Sequence, residues 1–214
     1  MTTPFPDATA TLPARSLDKR RSILDAASRA FLAHGYGATS MDQVAQDAGV
    51  SKRTIYHHFG SKEGLFSALI AMRCERIDAE LDRAENGGRL DVEAALMEMG
   101  HRFMGLILSE EGQSMDRILT AEAVRFPQLG EIFFEAGPEN LTNRIAAFLE
   151  TRAARGEIAI DDSYRAAACF LMMIQGKVVK CAMMCPDRVG GPDEIRQAVE
   201  YGVRLFLNGV RPRD

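Results

Sequence analysis

The residues best equipped for chemistry gather in one short stretch, Ser51-Lys-Arg-Thr-Ile-Tyr-His-His-Phe59. On a helix, Ile55 turns inward while Lys52, Arg53, Thr54, Tyr56, His57 and His58 form an outer face of donors and aromatics, a composition suited to phosphates and base edges. His57 and His58 diverge by about 100° as helical neighbours, which disfavours a shared metal ion. A second set is Cys181 and Cys185, an i, i+4 pair with Met183 and Met184 between them. Those soft sulfurs suit a metal or a redox switch, and equally the packing of a helical interface, so both readings stand. A third set, His101, Met104, Phe133, Phe134, Met172 and Gln175, lies in helical patterns rich in Phe and Met. Most of this set reads as core and His101 as a satisfied interior histidine, but the same residues offer an apolar, adaptable pocket in which His101, Gln175 and Asn140 are polar groups able to orient a hydrophobic or amphipathic ligand. No phosphate loop, metal-ligand cluster or nucleophile with a positioned base is legible, so neither an enzyme nor a cofactor is expected.

The elements that must position these residues are helices, since 3.6-residue periodicity runs almost throughout and alternating strands do not. A first helix is expected from near Leu17, with Ile23, Leu24, Ala27 and Phe31 on its inner face, ending at His34 and Gly35. A second covers Met41 to Ala48, with Thr39 and Ser40 as capping candidates and Gly49 as its stop. A third follows Ser51 and runs to about His58, and Ser61 opens a long fourth helix reaching about Arg83. Two short helices joined through Gly49 meet the geometry of a helix-turn-helix, with Val44, Ala45, Val50 and Ile55 at the crossing. Asn86, Gly87 and Gly88 then mark a break. Further helices are expected over 91–108, 111–125, 127–155, 161–184 and 192–208, with Gly137 and Pro138 offering a place where the third of these can divide. The expected fold is all-α: a disordered arm over 1–16, a three-helix head with the helix-turn-helix over 17–62, and a helical body over 63–214.

Composition sets the class. With 214 residues and 46% apolar content the chain can bury a substantial core. Its net charge of −4 is uneven: residues 1–65 carry eight Lys/Arg against six Asp/Glu, and three of the four histidines. A mildly basic head on an acidic body suits a protein that touches DNA at one end. Apolar runs such as Ala166 to Ile174 are soon interrupted by charge, so no membrane span is expected. The start lacks the pattern of a secretory signal, and the four cysteines (Cys74, Cys169, Cys181, Cys185) lack disulfide-framework spacing. Reduced thiols and a cytoplasmic address follow as expectations.

From Ile23 to Leu69 the sequence resembles the tetracycline-repressor (TetR) family of bacterial regulators. The resemblance rests on Ala30-Phe31, Gly35-Tyr36, Thr39-Ser-Met41, Val44-Ala45, Ala48-Gly-Val-Ser51, Thr54-Ile-Tyr-His-His-Phe59 and Ser61-Lys-Glu-Gly-Leu65. It implies a homodimer on double-stranded operator DNA, with a divergent ligand-binding body whose last two helices build the dimer interface. Carried over by position, it puts Lys52, Arg53, Thr54 and His57 toward the major groove and Thr39, Tyr56, His58 and Lys62 toward flanking phosphates. The family often has Gly where Arg53 stands, and the guanidinium can read a guanine bidentately or pair with a phosphate. A repressor released by a small hydrophobic effector is the implied function. A constitutive DNA-binding dimer without effector is the alternative.

Overall fold

The computed structural model describes residues 14–72, 91–185 and 191–210, and every regular element among them is helical. The expected arm over its first 13 residues, the Asn86–Gly88 break, Cys74 and the far end of the fourth helix lie outside the described residues. The chain divides into two compact units, Met1–Leu69 and Ile70–Asp214.

In the first unit α1 (Ala14–Ala38) buries Ile23, Leu24, Ala27 and Phe31, the inner face read from its spacing, and Ala30 beside them. Its regular course breaks at Gly35, whose φ of 78° is left-handed and favours a residue without Cβ. The chain then turns into α2 (Met41–Asp47), where the Ser40 hydroxyl accepts from the Gln43 N–H, and α3 (Lys52–Phe59), where Ser51 accepts from Thr54 N–H. Residues 62–72 form the described part of α4, opened by Ser61, which accepts from Gly64 N–H at 3.0 Å. Phe31, Tyr36 and Phe66 make an aromatic knot with ring centroids 5.5–5.7 Å apart. Leu65, Phe66 and Leu69 are fully buried, and the first compact unit runs to Leu69.

The second unit packs α5 (Val92–Ile107), α6 (Glu110–Glu122), α7 (Pro127–Phe134), α8 (Asn140–Ala154), α9 (Ser163–Met184) and α10 (Pro192–Val210). Its core is built chiefly from α5, α8, α9 and α10, around Leu96, Met104, Phe170, Ile174, Val199 and Phe206. Two glycines set the spacing against α10. A Cβ on Gly100 would come within 2.7 Å of Val199 Cγ1, and one on Gly202 within 3.0 Å of the Ile174 backbone, so the helices meet at nearly backbone distance. The segment expected over 127–155 does change character at Pro138. A proline has no N–H to give and crowds the preceding turn, and the helix widens there into a π-turn, Glu135–Glu139.

Helix α9 carries a second irregularity, at Gly176 (φ 46°, ψ −143°), which the sequence reading passed over. By length and composition α9 is also apolar enough to cross a membrane, with mean hydropathy 1.4 over its best window. The expectation of no such span looked only at uninterrupted runs. Its buried face, Ala167, Phe170, Leu171, Ile174, Val178 and Ala182, belongs to the core of the bundle.

Candidate nucleic-acid interface and ligand cavity

Helix α3 is anchored by one side chain. Ile55 is fully buried, against a core that also holds Val44 at 0% and Ala45 at 6% exposure, and small residues at this crossing let α2 and α3 approach closely. Gly49 (φ 66°) makes the turn between them and Gly60 (φ 73°) ends α3, both in the left-handed region. With the inner face fixed, Lys52, Arg53, Tyr56 and His57 are exposed, and Thr54 and His58 are half-buried. The structure therefore brings six of the eight residues assigned to DNA onto one helix.

Their electrostatics differ along the helix. Lys52 Nζ pairs with Asp42 Oδ2 of α2 at 2.9 Å, and that hydrogen bond holds its pKa above the usual lysine value. The Thr54 hydroxyl lies 2.8 Å from that of Ser51, within the capping turn. At the far end, the His58 pKa is depressed, first by burial and then by His57, Arg20 and Lys19. Arg20 of α1 lies over the Phe59 ring at 4.9 Å, so Phe59 serves as packing and cation–π partner to α1.

Thr39 and Lys62 stand differently from the expectation that both turn toward phosphates. Thr39 is 4% exposed, and its hydroxyl is placed to donate to Gly35 O at 2.7 Å and Ala30 O at 3.0 Å. Lys62 donates to Thr39 O and Gly37 O and sits 4.5 Å from the Tyr36 ring centroid. Both side chains thus give donors to backbone carbonyls around the break at Gly35. Beside them, the Glu63 carboxyl is held below its ordinary value by its own backbone N–H, by Ser61 and by Tyr36, with burial opposing. Burial and the Glu63 carboxylate together push the Tyr36 phenol up.

The second unit contains a cavity of about 700 Å³, walled by α6, α7, the π-turn and α9, with Phe103, Leu106 and Ile107 of α5 and Ile70 of α4. Four of the six residues expected to line it do so: Phe133, Phe134, Met172 and Gln175. His101 and Met104 do not. Met104 is fully buried in the core beside the cavity face of α5, and His101 is half-buried and not in the lining. Phe103, one residue before Met104, takes the place assigned to it, since one step along a helix rotates a side chain by about 100°. Polar groups at the wall are few. Gln175 Nε2 donates to Leu171 O at 2.9 Å, and Tyr164, which the sequence reading did not select, donates its phenolic proton to Glu139 at 2.8 Å. Asn140 is not in the lining.

Cys169, Cys181 and Cys185 are not joined in disulfides, and no group of three or more His, Cys, Asp or Glu able to hold a metal occurs among the described residues. Met173 and Met184 of α9 and Tyr201 and Leu205 of α10 are large apolar side chains left exposed, with the charged Lys177, Lys180 and Arg204 also exposed on these helices.

Residues 23–69 match the family model described as bacterial regulatory proteins, tetR family, and residues 94–209 match that of the AefR-like transcriptional repressor C-terminal domain. A TetR-family regulator of known structure from Mesorhizobium loti is 29% identical, with a TM-score of 0.80 over 94% of this chain and 100% of its own. The flavonoid-responsive regulator FrrA is 34% identical, with a TM-score of 0.74 over 92% of this chain and 98% of its own. The HTH-type transcriptional regulator YvkB of Bacillus subtilis is 25% identical over 92% of this chain and 98% of its length. A recognition helix with a polar outer face, a separate helical body around a cavity, and matches that span both units lead to one conclusion: the chain belongs to the TetR family of DNA-binding transcriptional regulators, a family of regulators and not of enzymes.

Proposed function

We propose that this protein is a cytoplasmic homodimeric repressor that occupies a palindromic operator and leaves it when a small hydrophobic effector fills the cavity of the second unit. The observation that carries the reading is the pairing, in one chain, of an outward polar face on α3 with a roomy apolar cavity bounded by aromatic residues. Each protomer inserts Lys52 to His58 into a major groove, and two-fold symmetry places the half-sites about 34 Å, one helical turn, or a multiple of it apart. Lys52, Arg53 and His57 face base edges, and Tyr56 and His58 face phosphates. Dimerisation uses the outer side of α9 and α10, where Met173, Met184, Tyr201 and Leu205 supply the surface that a partner copy covers.

The repressor family matched over residues 94–209 and the flavonoid-responsive relative favour a repressor with an aromatic or otherwise hydrophobic effector. Ile70, where the second unit begins, lies in the cavity wall, so an occupant touches the chain close to the point where it leaves the DNA-binding unit. Such a ligand switches the protein only in proportion to its tighter binding of the released state.

The test is selection of bound fragments from the organism's genomic DNA with purified protein, followed by release on addition of hydrophobic compounds that raise the melting temperature. Retention of palindromic promoter fragments and their release by a stabilising compound is the expected result. Failure to retain any promoter fragment at low salt overturns the DNA reading, and retention that no stabilising compound reverses overturns the effector reading. Substituting Arg53→Ala then separates base readout, a loss of about 1–3 kcal/mol confined to some operator variants, from a uniform phosphate loss.

A further inference from the structure

We propose that the amino-terminal half of α1 forms a second DNA-backbone contact, in which Lys19 and Arg20 join His58 to clamp a phosphate beyond the carboxyl end of the recognition helix. The inference rests on the DNA-binding reading above and adds a site on an element which that reading leaves as scaffold.

Three observations place these residues together. Arg20 Cζ lies 4.9 Å from the ring centroid of Phe59, the last residue of α3, which brings the guanidinium to the end of the recognition helix. Lys19 and Arg20 are both close enough to His58 to depress its pKa by charge, so one ammonium, one guanidinium and one imidazole share a small region. Ser22, two residues on, donates its hydroxyl to Ala48 O at 3.3 Å, in the turn between α2 and α3. The amino-terminal half of α1 is therefore seated against the carboxyl end of α3 and the end of α2, and is not a loose basic arm.

The charge pattern indicates what this region meets. Lys19 and Arg21 are exposed and Arg20 is half-buried, beside an exposed His57 whose ring centroid is 5.7 Å from that of His58. Cations assembled around an imidazole raise one another's free energy, which an approaching anion relieves. A duplex seated on Lys52 to His57 carries its backbone past the end of α3, where this cluster stands. The contact is made to phosphate, so it adds affinity and register without reading sequence.

The experiment compares wild type with Lys19→Gln, Lys19→Glu, Arg20→Gln and the double Lys19→Gln/Arg20→Gln variant. Each is titrated from about 50 to 200 mM salt against two probes, a duplex recovered by genomic selection and a random-sequence duplex of equal length. Arg29→Gln, about 15 Å further along α1, is the control for total charge. Each lost phosphate contact should reduce the slope of log affinity against log salt by about 0.9, on both probes alike, with Lys19→Glu weakest and Arg29→Gln unchanged. Lys19 is exposed, so its variants keep the wild-type melting temperature and remain decisive if removing Arg20 from Phe59 unsettles the head. Wild-type slopes in both Lys19 variants, or losses matched by Arg29→Gln, overturn the clamp and leave the recognition helix standing. Absence of wild-type binding to either probe overturns the DNA reading and the clamp with it.

Discussion

Two glycine-to-alanine substitutions should move stability in opposite directions, for reasons visible in the structure. At Gly64, in the first turn of α4, a Cβ would lie 2.0 Å from Phe59 O and 3.2 Å from Phe59 C, both backbone atoms. Phe59 ends α3 and Gly64 follows Ser61 across the tight α3–α4 turn, so neither partner can swing aside as a flexible side chain would. Reaching even 3.0 Å requires the turn to open by about 1 Å, and overpacking of this kind costs about 1–3 kcal/mol or more. Alanine returns up to about 1 kcal/mol through helix propensity, and a backbone collision lies at the upper end of the cost, so the net loss is about 1–3 kcal/mol. Gly105 in α5 is exposed with nothing within 4 Å of its would-be Cβ, so the same change there should gain about 0.5–1 kcal/mol. At about 2–4 °C per kcal/mol for a chain of this size, differential scanning calorimetry resolves both shifts. An unchanged or raised melting temperature for Gly64→Ala, or an equal fall for Gly105→Ala, would refute the steric argument.

Thr39→Val should lower stability by about 1–3 kcal/mol, because it leaves carbonyls at the α1 break without a donor, while the salt slope of DNA binding stays at the wild-type value. A slope reduced by a full contact in that variant would return Thr39 to the phosphate. Below pH 4.5 the head should lose stability: a carboxyl held low when folded contributes above its unfolded value, and the contribution vanishes as pH falls through the folded one. Glu63→Gln should flatten that acid limb in a pH series of melting temperatures, and an identical limb in the variant would show that Glu63 is not its source. Ala168→Trp fills part of the cavity and should abolish the thermal shift given by hydrophobic compounds while operator binding survives. A full shift in that variant would place the effector elsewhere.

The DNA-binding unit was legible because its turns depend on residues that few others replace. Gly49 and Gly60 take positive φ, Ser40 and Ser51 cap, and Ile55 is the lone inward residue of α3. Thr39 and Lys62 were harder to read, because a donor beside the helix-turn-helix looks the same in sequence whether it meets a phosphate or a backbone carbonyl. In the body, helical spacing identified the apolar faces but could not say which side of α5 meets the core. Met104 went inward and Phe103 to the cavity. The break at Gly176 was invisible because an isolated glycine is tolerated inside a helical pattern. Tyr164 was overlooked for a similar reason: its value lies in Glu139, twenty-five residues away, a partner that only the tertiary fold supplies.

The ion pair between Lys52 and Asp42 gives the reading surface a resident anion. A duplex that engages this ammonium has to displace a carboxylate already seated there, so Lys52 exchanges one negative partner for another and frees fewer small ions than a lysine facing open solvent. The displaced Asp42 then faces the DNA with its own charge and opposes any backbone that passes on its side of α2. In the DNA-bound state proposed above, a duplex that draws the lysine cleanly away from that rival would be favoured over one that approaches askew, which would make the pair a filter on docking geometry.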